Sequence, residues 1–593
     1  MSAPGVHVRF DAFGGGAWEG RCFRFSGLRS VVQARRLDEV LPALGEVEAA
    51  AARGLHATGW LTYEAAPAFD AALAVHAPDP RLPLLWFALW EVRDRAELPA
   101  RPTLGSAELG PWEAALPDAE YRGRVERIRG WIAAGDTYQA NLTFPLRAAF
   151  SGSPEVLYER LARAQRSPFC ALIETPEWAV VSASPELFFR WRGSELTLRP
   201  MKGTRPRGRW GAEDRRLAAE LRASPKERAE NLMIVDLLRN DAGRVAEWGS
   251  VRVSRLFATE RYPTVHQMTS TVHARTRPGT GLPELFRALF PCGSVTGAPK
   301  VRTTRILRAV EDGPRGVYTG AIGWVSPGEA VFSVAIRTVV VDRRRGEATL
   351  GVGSGITWDS DAAEEHRECL SKAAFTRAPA ADFELLESLA WAGPDGFLRL
   401  GGHLRRLRAS AARWGFPYDR EALRGALKRA AAPLGEGRWK VRLRLGADGS
   451  VATDATPLPP DFDAPLRVAI SRDPVDSADP LLFHKTTDRA VYTSRAAAHP
   501  GCDEIVLTNE RGEVTEACTG NLVARIDGSL WTPPLDSGLL PGVLRAELLR
   551  AGKIRERTLR PEDLQDADEV WIVNSVRGWR RALLLTEPRA EPQ

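Results

Sequence analysis

Apolar and polar positions change their period several times along the chain, and each change marks an element. Helical stretches are expected at 37–52, which is rich in Ala and Leu, and at 118–134, where the pattern stops on Gly135. Two more are expected at 226–245, with Pro225 in the first turn, and at 361–375. Alternation takes over between them. QANLTFPL (139–146) predicts a strand, and 188–192 with 195–199 predict a hairpin turning on Arg192-Gly193-Ser194. Residues 317–357 predict an antiparallel meander with turns at 326–329 and 343–346. Its central strand, VFSVAIRTVVVD, carries Arg337 near the middle. GWLTYEAAPAF (59–69) is a packed helix start or a pocket lining, and 82–90 is an apolar run. The small-residue stretch 373–382 reads as a linker.

With 593 residues the chain is too long for one core, and two large modules are expected. A 44% hydrophobic and 26% charged composition is that of an ordinary globular protein. The net charge of +6 does not make a nucleic-acid stripe, because the arginines are dispersed among carboxylates. Small anionic substrates fit that balance better. Cys22, Cys170, Cys292, Cys369, Cys502 and Cys518 have neither CxxC nor metal-ligand spacing, so reduced thiols are expected. With no apolar run of membrane-helix length and no leader-like start, a soluble cytoplasmic protein is expected.

Of 81 basic residues only eight are lysines. A chain that writes Arg wherever a positive charge will do keeps Lys where an amine of tunable pKa or a compact charge is needed. Lys202 and Glu186 fall near the open end of the predicted hairpin and could face one pocket, as nucleophile and acid. Glu227 and Glu230 share one helix face, and Glu365 and Glu368, with Lys372 a turn further on, share another. Two such pairs are what a Mg²⁺ site needs, the remaining positions going to water and substrate oxygens. Arg337 in its strand calls for an anion, and the repeat of Gly351, Gly353 and Gly355 would let a ligand approach the backbone.

GDTYQANLT (135–143), SASPE (182–186), PMKGTRPRG (200–208), KERAENLMIVDLLRND (226–241), GSVTGAPK (293–300), RGVYTGAIGW (315–324), AIRT (335–338) and GVGSGI (351–356) stand in the order found in the chorismate-utilising enzymes. Residues 118–377 resemble that family strongly, within it the aminodeoxychorismate synthase component I branch. The resemblance implies a fold of two-layered antiparallel sheets with helices, over a domain of 1–376. It implies that Glu230 and Glu368 bind Mg²⁺ with Glu227 and Glu365 in support, and that Glu186 is general acid/base at the C4 hydroxyl. Thr204, His266, Ser294, Tyr318, Arg337, Gly353 and Lys372 would surround chorismate. Anthranilate synthases resemble PIAGT where this chain has PMKGT. Lys202 is implied to attack C2 as the C4 hydroxyl leaves, before ammonia attacks C4 and expels it.

FELLESLAW, GGHLRRLRASAARWGF (401–416), HKTTDR (484–489), EVTEACTGNL (513–522) and GLLPGVLRAELL (538–549) resemble the class IV pyridoxal-phosphate enzymes, which include aminodeoxychorismate lyase. An α+β domain of two subdomains over 377–593 is implied. Lys485 can carry pyridoxal 5'-phosphate, Glu516 can pair with its ring nitrogen, and Gly542 and Val543 open a helix whose N–H groups, with Arg406, can hold the phosphate. Cys518 and Gly520 depart from the Ser and Ser/Thr of many relatives. Together the two resemblances imply a bifunctional enzyme that turns chorismate and ammonia into 4-aminobenzoate, the folate precursor. A C-terminal D-amino-acid or branched-chain transaminase, or a non-catalytic regulatory protein, would use the same folds. No Cys stands in a GxCxG elbow, so a separate glutamine amidotransferase subunit is expected. Pairing of two copies through the C-terminal domain is a further, open expectation.

Overall fold

The computed structural model describes residues 5–13, 21–97, 105–377, 383–459 and 464–585. It forms two compact units, Met1–Pro206 with Leu217–Ala380, and Arg207–Arg216 with Ala381–Gln593. The second half of the expected linker, 378–382, lies outside the described residues. No helix among the described residues is long and apolar enough to cross a membrane.

Strand alternation decides the layering of the first unit. On His56–Leu61, Leu85–Ala96 and Ala321–Ser326, one set of side chains, including Trp60, Trp86, Trp90 and Trp324, packs against Ala171, Ile173 and Val180 of a second sheet layer. The other set, including Leu61, Phe87 and Val325, packs under the helices Leu37–Ala52, Pro225–Gly243 and Leu282–Leu289. The outer face of the second layer, with Leu142, Val181, Val339 and Leu350, is covered by Asp118–Ala133, Pro154–Gln165 and Ala362–Ser371. The order is helix, sheet, sheet, helix, as period-two strands with two apolar faces require. His7–Asp11 pairs antiparallel with both Cys22–Ala34 and Phe169–Glu174, so the layers share one ladder.

The hairpin closes as expected, with Arg192 opposite Glu195. The predicted central strand of the meander does not exist as one piece. Glu329–Val334 pairs with Leu187–Arg192 and Ala321–Ser326 in one layer, whereas Thr338–Asp342 pairs with Trp178–Ser184 and Glu347–Ile356 in the other. The chain changes layers across 335–337, where Arg337 adopts a φ of 52°. Extended backbone cannot make that step, so Arg337 sits in a break rather than in a strand. Residues 317–320 are turn, and 59–69 splits into the end of a strand and the 3₁₀ helix Tyr63–Ala68. The last predicted helix stops at Ser371, followed by the short Ala374–Thr376 turn.

The second unit has two subdomains. Leu385–Trp391, Trp439–Leu445 and Val451–Pro457 form an antiparallel sheet under the helices Leu400–Trp414 and Arg420–Ala431. An eight-stranded mixed sheet follows, in which Leu466–Ile470 runs parallel to Glu504–Thr508 and to Gly578–Leu584. The segment Arg207–Arg216 belongs to this unit: Trp210 stacks on Phe483 at 5.0 Å, and His484 Nε2 lies 3.0 Å from the Arg209 carbonyl.

Candidate active sites

In the first unit, the strand Met201–Pro206 is clamped from both sides. It pairs with Val265–Arg275, and Asn231 of the Pro225–Gly243 helix donates to the Lys202 carbonyl at 3.2 Å. That helix is capped by Ser224 and buries Ile234, Val235 and Leu238, which turns Glu227 and Glu230 toward the strand. Lys202 Nζ lies 3.2 Å from Glu230, and Arg205 lies 3.1 Å from Glu227. Burial and the Glu230 charge both push the Glu227 carboxyl up, so the two anions repel each other despite those cations.

Glu186 is 2% exposed. Burial lifts its carboxyl to about 7, against hydrogen bonds from Ser294 and the Met201 N–H and against the charges of Arg199 and Lys202. A carboxyl that titrates near neutrality can give or take a proton. Its Oε1 is buried without a hydrogen-bond partner.

A residue that sequence reasoning missed faces the same amine. A Cβ on Gly355 would stand 2.6 Å from both Lys202 Nζ and Gln139 Nε2. Gln139 is 1% exposed, and neither its amide oxygen nor its amide nitrogen has a hydrogen-bond partner. A primary amide buried this way is costly unless something polar joins it. The signal in the sequence was the position of Gln139 at the start of a strand; what it faces is decided by strand pairing.

The second carboxylate pair sits on Ala362–Ser371. Glu365 accepts from the hydroxyls of Ser354 and Ser360, and Glu368 is 2.8 Å from Lys372 Nζ. Burial alone would raise the Glu368 carboxyl, but Lys372, with Lys202 and Arg337 behind it, pulls it below the ordinary range. Lys202 therefore acts on a carboxylate from each helix. As the side chains stand, no three carboxylate, histidine or cysteine groups among the described residues converge on a metal position. The donor set nonetheless suits a hard divalent ion in kind: four carboxylates from two helices, one pair repelling internally.

The other expected contact residues are distributed around this centre. Ser294 lies on the 3₁₀ turn Gly293–Val295 beside Glu186. Arg337 donates to the Lys372 carbonyl, forms no ion pair among the described residues, and burial lowers its guanidinium to about 10. Tyr318 fills the space left by the missing Gly351 side chain, whose Cβ would stand 2.1 Å from its ring, and Gly353 accepts from Lys372 Nζ at 2.7 Å. On the side where a Cβ would stand, the three glycines admit protein side chains and backbone. His266 is fully buried opposite Arg205 on the neighbouring strand, and Thr204 is exposed and donates to Gln267.

The second unit encloses a cavity of about 400 Å³, whose lining includes Arg406, Lys485, Glu516, Gly542 and Val543. Lys485 follows the turn Pro480–Phe483, and its carbonyl accepts from Leu386 N–H at 2.9 Å. Burial, with Arg406 and Arg489 nearby, lowers its amine to about 8. Glu516 accepts from Tyr492 Oη at 2.8 Å and Asn521 Nδ2 at 3.2 Å, and burial raises it to about 7. Arg406 is held by both oxygens of Glu387 at 2.9 and 2.6 Å, beside the Pro541 carbonyl. Gly542 caps Val543–Arg550, and a Cβ there would collide with Asn521 Oδ1 at 1.8 Å. A buried lysine of lowered pKa, a carboxyl across the cavity, and a helix start beside an arginine fit an aldehyde cofactor with an anionic tail. Tyr492 and Asn521, which orient Glu516, were not anticipated. Gly520 packs so closely on Val573 that a Cβ would meet its carbonyl at 2.8 Å, which accounts for the absence of a hydroxyl residue there.

Comparison with known proteins finds two successive family matches along the chain. Residues 17–378 match the family described as chorismate binding enzyme, and 384–584 match amino-transferase class IV. Aminodeoxychorismate synthase component 1 of Klebsiella aerogenes is 41% identical over 295 residues, 50% of this chain and 63% of that protein. Anthranilate synthase component 1 of Streptomyces coelicolor is 43% identical over 263 residues, 44% of this chain and 51% of that protein. The chain thus spans less than two thirds of the length of these curated relatives. The crystal structure of anthranilate synthase component I from Streptococcus pneumoniae superposes with a TM-score of 0.54 at 24% identity, covering 64% of this chain and 93% of that one, a likeness of fold.

Proposed function

The chain belongs to the chorismate binding enzyme family, whose model covers residues 17–378, and from that premise we propose that it makes 4-aminobenzoate from chorismate and ammonia in two steps. The observation that carries the proposal is Lys202 Nζ, 3.2 Å from Glu230 and beside Glu186 and Gln139, in a chain that also buries Lys485 opposite Glu516. A primary amine at the first site supports covalent capture of the substrate, which an alanine could not perform.

In the first step Glu186, titrating near 7, gives a proton to the C4 hydroxyl as it leaves, and the Lys202 amine bonds to C2 as the ring double bonds shift. Ammonia then bonds to C4, the double bonds shift back, and the C2–lysine bond breaks. Arg337 holds a substrate carboxylate, and Gln139 offers its amide at the reacting face. Glu230 and Glu368, with Glu227 and Glu365, would hold Mg²⁺, which lends charge stabilisation to the bound carboxylate. Equilibrium dialysis should show Mg²⁺ binding that Glu230→Ala and Glu368→Ala each weaken; unchanged binding in either would place the ion elsewhere.

In the second step pyridoxal phosphate, when bound, supplies an electron sink at the substrate amine. The chain's own groups do the rest: the helix start at Gly542 and Arg406 hold the phosphate, Glu516 faces the ring nitrogen, and the Lys485 amine removes the C4 proton and delivers one to departing enolpyruvate. Aromatisation drives the step. Ammonia would come from a separate glutaminase subunit. The deciding assay is full-length protein with chorismate and ammonium, followed for 4-aminobenzoate and pyruvate without added keto acid. Aminodeoxychorismate accumulating with no pyruvate would overturn the second step, and unconsumed chorismate the first.

A further inference from the structure

The cavity of the second unit carries more positive charge than its cofactor can use. Besides Arg406 and Lys485 its wall includes Lys440, Arg442, Arg489, Arg577 and Arg580, against two carboxylates, Glu504 and Glu516. Both carboxylates are engaged: Glu516 by Tyr492 and Asn521, and Glu504 by the Thr519 hydroxyl and N–H. Arg489 donates to the Cys518 carbonyl and lies over the Tyr492 ring at 4.5 Å. Lys440, Arg442 and Arg580, in contrast, form no ion pair and no side-chain hydrogen bond among the described residues. The anion of their face is Asp454, cross-strand from Arg442, which lies 4.0 Å from Arg444 instead.

Strand register places these cations. Lys440 lies opposite Ala390 and Arg442 opposite Ser388, so on Trp439–Leu445 the two residues stand on one face, about 7 Å apart. Arg580 reaches the same cavity from Gly578–Leu584. Burial lowers the Lys440 amine, and Arg442, Arg489 and Arg577 lower it further against the opposing charge of Asp454, so the crowding of like charges outweighs that carboxylate. Such repulsion favours an anion in the cavity. A monocarboxylate would leave most of it in place; two carboxylates, one on a ring and one on an ether side chain, can divide the three cations between them.

We propose that Lys440 and Arg442, with Arg580, are specificity residues that select a dianionic amine, binding its two carboxylates and disfavouring monocarboxylate amino acids. This rests on the lyase step proposed above and names the residues that give it its substrate class. It also separates the unit from a transaminase for branched-chain or other neutral amino acids, whose substrates leave the wall uncompensated.

The test uses the full chain and two unreactive probes, 3-(carboxymethoxy)benzoate as dianion and benzoate as monoanion, titrated by calorimetry. Any binding at the first unit is common to all variants, so differences isolate the second. Lys440→Gln/Arg442→Gln should weaken the dianion roughly a hundredfold, about tenfold for each lost charge-assisted hydrogen bond, and benzoate by less than threefold. Lys440→Arg/Arg442→Lys, which keeps both charges, should bind the dianion within a few-fold of wild type and so controls for misfolding. Equal dianion binding in the neutralised and native proteins would overturn the proposal, as would equal losses in both double variants. Kinetics separates it from the reading beneath it. If native protein releases pyruvate from aminodeoxychorismate and the neutralised variant does so at unchanged KM, the recognition fails and the lyase stands. If native protein releases none yet the dianion difference persists, the lyase fails and the recognition stands.

Discussion

Gly355→Ala should separate catalysis from stability in the first unit. The residue lies opposite Asn141 on Glu347–Ile356 with no left-handed φ, so alanine fits the backbone and lowers unfolded-state entropy by an amount worth about 0.4–1 kcal/mol. The atoms nearest the new methyl would be Lys202 Nζ and Gln139 Nε2, each at 2.6 Å, with Gln139 Cδ at 3.3 Å. Contact distances near 3.6 Å then require both tips to retreat by about 1 Å. Flexible side chains can do so without disturbing the fold, but a nucleophile moved by about 1 Å loses on the order of a hundredfold in rate, or about 2.7 kcal/mol of barrier. Ammonium-dependent chorismate consumption should fall accordingly, with the melting temperature unchanged within a few degrees and pyruvate release from aminodeoxychorismate intact. Gly353→Ala is the contrast, because its Cβ would stand 2.7 Å from the Leu142 backbone carbonyl, which cannot move aside. That variant should melt lower. Native-like chorismate turnover by Gly355→Ala would refute the placement of Lys202 and Gln139 around that glycine.

Lys202→Ala should stop aminodeoxychorismate formation and let water compete at the ring, seen as hydroxylated product by chromatography; normal amination would remove its nucleophilic role. Lys485→Ala should abolish borohydride fixation of pyridoxal phosphate to the peptide containing His484-Lys485-Thr486 and lose pyruvate release, while chorismate is still consumed; loss of both half-reactions in folded protein would contradict two independent sites. Glu387 is buried against Arg406 and His403, which overcome the burial cost and hold its carboxyl at about 2, below an unfolded value near 4.3. Its stabilisation, on the order of 3 kcal/mol, is therefore present above about pH 4.5 and lost as pH falls toward 2. The stability gap between native protein and Glu387→Gln, from denaturant titrations at several pH values, should shrink over that window; a constant gap would rule the linkage out.

Pattern along the chain was enough for the elements whose causes are local. The helix 37–52 emerged at those bounds, 118–134 ended within a residue of expectation, and the 192–195 turn closed its hairpin, because apolar spacing, capping and turn chemistry act over a few residues. The ordered motifs singled out Lys202, Glu186, both carboxylate pairs, Lys485 and Glu516 as candidates for the same reason: each motif is a short piece of chain. Local pattern failed where a residue's environment comes from distant strands. Alternation runs unbroken through VFSVAIRTVVVD, yet the chain leaves one sheet layer and enters the other at Arg337, a step set by which strands lie alongside. That Gly351 makes room for the Tyr318 ring was not legible in its glycine repeat either. Gln139 carried no chemical signal until pairing set it beside Gly355 and Lys202, and residues 207–216, read from sequence as part of the first module, pack in the second unit through Trp210 and Phe483. Lys440 and Arg442 come from one strand and Arg580 from another far along the chain, so only tertiary pairing could show that they share one cavity with more cations than carboxylates. The sequence by itself determined the elements and the chemical groups; register and layer packing, which depend on contacts between residues far apart in the chain, decided which groups meet.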